Sequence, residues 1–94
     1  MTGTSEILRE MATTFMERNA VYGDNSVMAG KVLEALFPEG ATQTTAADHE
    51  KYHLLSLIVV KLTRFVCANC EHVDSIHDMA VYAAMIENIL RNEK

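Results

Sequence analysis

The sequence predicts an all-α domain of four helices. Apolar residues recur at three- and four-residue spacing through most of the chain, with no sustained alternation of the kind a strand needs. Turn chemistry interrupts that spacing at Tyr22-Gly23-Asp24-Asn25 and again at Pro38-Glu39-Gly40, with a short loop before Asp74. The 94 residues are 49% hydrophobic and 22% charged, with four Gly and one Pro. That is one domain's worth of sequence with enough apolar side chain to bury.

The first helix is expected over about residues 5–19, capped by Thr4 or Ser5. Ile7, Leu8, Met11, Phe15 and Met16 form its apolar stripe, opposite Glu6, Arg9, Glu10, Glu17 and Arg18. That stripe reads as ordinary core. The second helix, about residues 25–37, starts at Asp24 or Asn25 and has Val27, Met28, Val32, Leu33, Leu36 and Phe37 as its apolar set; Pro38 and Gly40 stop it. The segment from Pro38 to Thr45 is a linker between two helical halves, neither of which is large enough to be a domain alone.

The third helix, about residues 46–69, is the longest and most apolar. Thr45 and Asp48 have the spacing of a capping box. Leu54, Leu55, Leu57 to Val60, Leu62, Phe65 and Val66 cover most of its circumference. A helix apolar on nearly all sides is surrounded by others, so this one is central to the bundle or part of an oligomer interface. The fourth helix, about residues 75–91, begins at Asp74 or Ser75, with Val73 placed as a hydrophobic staple. Ile76, Met79, Ala80, Ala83, Ile86 and Leu90 make one stripe, and Asp78, Tyr82, Met85 and Ile89 another. The six Met read as core filler.

A net charge of −5, with thirteen acidic against eight basic residues and no basic run, makes duplex nucleic acid a poor partner. A membrane-spanning helix needs about 20 apolar residues, and no continuous run here, Leu57 to Val60 included, comes near that length. No membrane partner is expected. No charged-then-apolar leader opens the chain, and two cysteines are too few for a disulfide scaffold, so a cytoplasmic protein is expected. A chain this short buries only about 60–65% of its unfolded surface. Together with the third helix, that leads to an expected homo-oligomer.

Charged groups in apolar surroundings mark where chemistry can sit. Lys61 and Arg64 lie one turn apart on the third helix, and Asp74, Asp78 and Tyr82 follow one another by turns on the fourth. A tight hairpin brings the cations to the carboxylates. This is either a structural ion-pair cluster or a polar pocket for phosphate or nucleobase groups. Tyr22, Gly23 and Asp24 offer a stacking face, backbone freedom and a carboxylate, or else a plain helix–helix turn.

Cys67, Cys70, His72 and His77 have one C-x-x-C half-site but no well-spaced second half, so zinc is not expected. Cys67 falls on an apolar helix face, where free Cys is a small hydrophobe. Magnesium would need three or four carboxylates on facing helices, and only Asp74 and Asp78, with Asp24 or Glu34 beyond them, are available.

Three motifs carry a resemblance. They are Arg18-x-x-x-Tyr22-Gly23-Asp24, Lys61-x-x-Arg64, and Asp74-Ser75-x-x-Asp78-x-x-x-Tyr82. Over about residues 15 to 90 the chain resembles a family of small phage-encoded helical proteins. These are similar to the all-α nucleoside triphosphate pyrophosphohydrolases of the MazG type and to domains associated with phage nucleotide modification. The resemblance implies a helical fold and a nucleotide-related role.

MazG-type enzymes hold magnesium with E-E-x-x-E on one helix and E-x-x-D on another. This chain has no E-E-x-x-E, and Glu71-His72-Val73-Asp74 matches the second pattern only across an expected loop.

The expected function is therefore binding of a nucleotide or nucleotide-derived small molecule without turnover. The ligand residues are Tyr22, Asp24, Lys61, Arg64, Asp74, Asp78 and Tyr82, at helix faces or subunit interfaces. No cofactor is expected. In a phage setting, sequestration of a host signalling nucleotide is one use of such a binder. The alternatives are a magnesium-dependent, MazG-like pyrophosphohydrolase and a protein-interaction module docking through the third helix.

Overall fold

The computed structural model describes residues 3–93, and the side chains of all of these except Val21 and Tyr22. Four helices follow one another: α1 Thr4–Tyr22, α2 Asn25–Leu36, α3 Ala46–Cys67 and α4 Val73–Asn92, with no strand among the described residues. The all-α, four-helix fold is as the spacing predicts. α3 is its centre and packs against α2 and α4.

α3 starts where its sequence says it should. Thr45 Oγ1 accepts from the Asp48 backbone N–H at 3.1 Å, and Asp48 Oδ2 accepts from the Thr45 N–H at 3.3 Å. The Thr44 N–H (3.2 Å) and hydroxyl (3.0 Å) donate to the same oxygen. These bonds, the Thr44 backbone first, stabilise the charged carboxylate and hold Asp48 down at about 2 from its ordinary 3.8.

α3 stops at Cys67, two residues before the expected end. Asn69 (φ 57°) and Cys70 (φ 60°) turn left-handed, and the Cys70 N–H reaches back to the Phe65 carbonyl at 2.9 Å. That is a Schellman-type closure, made without glycine.

α4 returns antiparallel along α3 and is clasped at both ends. Lys51 Nζ meets Glu93 Oε1 at 2.9 Å, and Lys61 Nζ meets Asp78 Oδ2 at 2.9 Å. α4 begins at Val73, two residues early, with His72 as its cap position. Ser75 is therefore not the cap. It lies fully buried in the first turn, with its hydroxyl 2.6 Å from His72 Nδ1. Val73 is 76% exposed, too open for the expected staple.

α2 lies on the other flank of α3, with Ala29 buried between them and Met28 Sδ 3.5 Å from Cys67 Sγ. Cys67 thus sits among thioether and helix, as a small hydrophobe does. Phe37 meets Tyr52 edge to face at 5.7 Å. The deepest core is small: Ala29, Leu54 and Val59, with Thr63 and Ser75.

α1 departs from expectation. It runs to Tyr22 rather than Asn19, because Gly23 closes it by donating its N–H to the Asn19 carbonyl at 2.8 Å. Gly3 stands at its cap position, so Thr4 and Ser5 lie in its first turn. Its apolar stripe is not core. Every side chain from Thr4 to Ala20 is exposed, and Ile7, Leu8, Met11, Phe15 and Met16 are 40 to 67% exposed. Met11, Met16, Met28 and Met85 are all exposed, so methionine as core filler fails at these four positions.

The radius of gyration is 16.6 Å, against about 12 Å for a compact chain of this length. Extents of 53 × 33 × 27 Å describe the same elongation.

Candidate functional site

The sequence names seven ligand residues at helix faces or subunit interfaces; the structure places the six with described side chains in two regions. On the α3–α4 side, Lys61 and Asp78 form the ion pair that the hairpin argument expects. The hydrogen bond from Lys61 holds the Asp78 carboxyl below its ordinary range. Asp74 is exposed in the first turn of α4, and Tyr82 is half-buried one turn beyond Asp78.

Arg64 does not join Asp78 in that pair; it turns the other way and lines a groove against α1. Asp24 lines the same groove. The Tyr22 side chain lies outside the described residues.

The groove has a volume of about 740 Å³ and lies between α1, the α1–α2 turn and the C-terminal part of α3. Its chemistry is layered. Ile7, Met11, Phe15 and Val27 supply an apolar wall. Arg18 and Arg64 bring two guanidinium groups, and Glu10 and Asp24 two carboxylates. Asn25, Ser26 and Val27 are the first turn of α2, where a helix carries its free N–H groups and its positive dipole end.

The turn that assembles this wall is held by Asn19 and Gly23. With its amide nitrogen facing the turn, Asn19 donates to the Gly23 carbonyl at 2.9 Å and to Asp24 Oδ1 at 3.1 Å. Gly23 adopts φ 62° and ψ −153°, a combination open to glycine and hardly to other residues. A Cβ there would come within 3.9 Å of Cys67 Sγ, which places the turn against the end of α3.

Sequence reasoning missed Arg18, Asn19, Glu10 and Phe15 as groove residues. Arg18 heads the first motif and is legible there; Phe15 reads as core by its spacing.

Two guanidinium groups beside a helix N-terminus suit an anion, and forked N–H donors suit phosphate in particular. The groove's apolar wall suits a flat, less polar group. A second cavity of about 390 Å³ opens between the linker and the α3–α4 pair, over Phe37, Tyr52, Leu55 and Ile86. The charged groups at its rim are engaged, Asp48 by Thr44 and Thr45 and Lys51 by Glu93.

Among the described residues, no three of His, Cys, Asp and Glu come together in an arrangement that would hold a metal ion. Asp24 is on the groove, Asp78 is paired with Lys61 one turn along α4 from Asp74, and Glu34 is on α2. No helix is long and apolar enough to cross a membrane among the described residues. In comparison with known proteins, the chain matches no family model, no curated protein and no solved structure.

Proposed function

We propose that the protein binds a nucleotide or nucleotide-derived small molecule in the α1–α2–α3 groove, and that it binds without turnover. The observation that carries this reading is the convergence of Arg18 and Arg64 on one groove with the first turn of α2. Phosphate would meet the two guanidinium groups and the α2 N–H groups, and the base would lie on the Met11 and Phe15 side. Lys61 and Asp78 then stabilise the hairpin rather than touch the ligand.

Absence of turnover is supported by the carboxylate placement: among the described residues no three come together for a metal, Asp74 and Asp78 being a pair on α4 with Asp24 on the groove, and metal-assisted pyrophosphate cleavage needs several carboxylates on one centre. The cytoplasm, a phage setting and a homo-oligomeric state belong to the same reading. There, capture of a host signalling nucleotide is the use to which such a binder is put.

The test is native mass spectrometry of protein taken directly from cells, followed by calorimetric titration with nucleoside mono-, di- and triphosphates and cyclic dinucleotides in EDTA. The expected result is a phosphorylated nucleotide that is retained or rebound without metal and lost on Arg64→Ala. Failure of every probe to bind overturns the reading. Magnesium-dependent release of pyrophosphate from a triphosphate replaces it with the pyrophosphohydrolase.

A further inference from the structure

We infer that Met28, Cys67 and Cys70 form a binding site for copper(I), at the seam where the start of α2 meets the end of α3. The site is independent of the nucleotide reading, because none of the three residues lines the groove.

The argument starts from two sulfurs. Met28 Sδ on α2 and Cys67 Sγ on α3 stand 3.5 Å apart, although 39 positions separate them in the chain. Sulfur ligands lie about 2.3 Å from a first-row d¹⁰ ion, so two of them at tetrahedral to trigonal angles are about 3.8–4.0 Å apart. The fold thus brings a thiol and a thioether from two helices to within about half an ångström of that spacing. The pair is not sealed in the core. Cys67 is half-buried and Met28 is 36% exposed, so an ion has a way in. Towards the α1–α2 turn Cys67 Sγ faces Gly23, where a Cβ would lie 3.9 Å from the sulfur and glycine supplies none.

Cys70 adds the third sulfur. Asn69 and Cys70 turn left-handed, so the chain doubles back on the last turn of α3, and the Cys70 N–H bonds the Phe65 carbonyl at 2.9 Å. Its backbone is therefore fixed beside the helix end that carries Cys67. The side chain itself is exposed and in no disulfide, with rotamers open to it for reaching an ion.

Chemistry chooses the metal. Among the described residues no three of His, Cys, Asp and Glu converge, which denies zinc its tetrahedral set. His72, two residues beyond Cys70, is engaged with the Ser75 hydroxyl. Magnesium and calcium take oxygen ligands, whereas thiolate and thioether together select copper(I). On binding, each coordinating thiol gives its proton to solvent and the ion keeps its oxidation state.

The test uses the full reduced chain under nitrogen, with copper(I) supplied on the chromogenic chelator bathocuproine disulfonate. One copper(I) per chain is expected to move to the protein, with a rise in Tm that reports the tie between α2 and α3. X-ray absorption is expected to show sulfur alone around the ion, at about 2.3 Å. Met28→Leu conserves volume, so the fold, followed by circular dichroism, is expected to persist. Copper binding is expected to weaken at least about tenfold, the least that loss of even an outer partner of a metal costs. Cys70→Ser is expected to weaken it likewise. Equal affinity of wild type and Met28→Leu overturns the site, because the thiols alone would then hold an adventitious ion only. Affinity unchanged in Cys70→Ser overturns the three-sulfur set, and zinc(II) held as tightly as copper(I) overturns the choice of metal.

Discussion

Lys61 Nζ stands 2.9 Å from Asp78 Oδ2, while Arg64, one turn further along α3, lines the groove against α1. Two cations that the sequence treats as one cluster thus serve opposite flanks of the central helix. The pair predicts a stability effect with no binding effect. Lys61→Met and Asp78→Asn should each lower Tm by a few degrees at most, because Asp78 is partly exposed and such pairs are weak in water.

The two changes together should cost less than their sum in a double-mutant cycle. The Asp78 carboxyl is held below its ordinary range. The pair's contribution is therefore present above the unfolded carboxylate pKa and lost as pH falls through the lower folded one. A Lys61→Met chain that keeps its Tm but loses nucleotide binding would move the ligand to the α3–α4 side.

The start of α3 predicts a second, separate acid transition. Thr45→Ala removes the hydroxyl that accepts from Asp48 N–H and should cost about 1 kcal/mol. Asp48 titrates at about 2 when folded and 3.8 otherwise, so its support for the helix start is complete above about pH 4. It disappears as pH falls towards 2. Carboxyl chemical shifts followed by NMR should report a midpoint for Asp48 well below those of exposed carboxylates. An ordinary midpoint would mean that the box is open in solution.

Much of this fold is legible in the chain, for reasons that can be stated. α3 is apolar around most of its circumference, and such a helix has to be central; Thr45 and Asp48 have the one spacing that closes a capping box. The α1 stripe is different. Periodicity shows that Leu8, Met11 and Phe15 share a face, but it says nothing about what covers that face, and the three stay 59 to 67% exposed.

Arg64 parts from Lys61 for a geometric reason. Residues three apart differ by about 60° around a helix, enough to carry one to each of two neighbours when the helix between them is central. Ser75 has a side chain that suits a cap. His72 sits at the cap position instead, and the Ser75 hydroxyl is buried against it.

Two glycines should respond in opposite directions. Gly23→Ala forces a side chain into φ 62°, ψ −153° and should destabilise by about 1–3 kcal/mol. It should also weaken binding by loosening the turn that carries Asn19 and Asp24. Gly30 lies exposed inside α2, where an added Cβ would meet nothing within 4 Å. Gly30→Ala should stabilise by about 0.5–1 kcal/mol. Denaturant titrations of both variants give the comparison, and equal effects would mean that the turn relaxes freely.

The groove separates a binder from an enzyme. If Arg18 and Arg64 hold phosphate, each change to Ala should weaken nucleotide binding at least about tenfold, the worth of one charge-assisted hydrogen bond. Arg18 is exposed on α1, so Arg18→Ala should leave Tm unchanged and act on the ligand alone. Binding should survive EDTA and fall with added salt, as phosphate contacts of exposed guanidinium groups do. Magnesium needs carboxylates gathered on one centre. Here Asp78 is engaged by Lys61, and Asp24 accepts from Asn19 beside two cations that disfavour a metal. Magnesium with the common triphosphates should therefore yield no pyrophosphate. Pyrophosphate release that Asp24→Asn abolishes would place the metal at the groove. Release that Asp78→Asn abolishes would place it at the α3–α4 hairpin. Either outcome would make the protein a hydrolase.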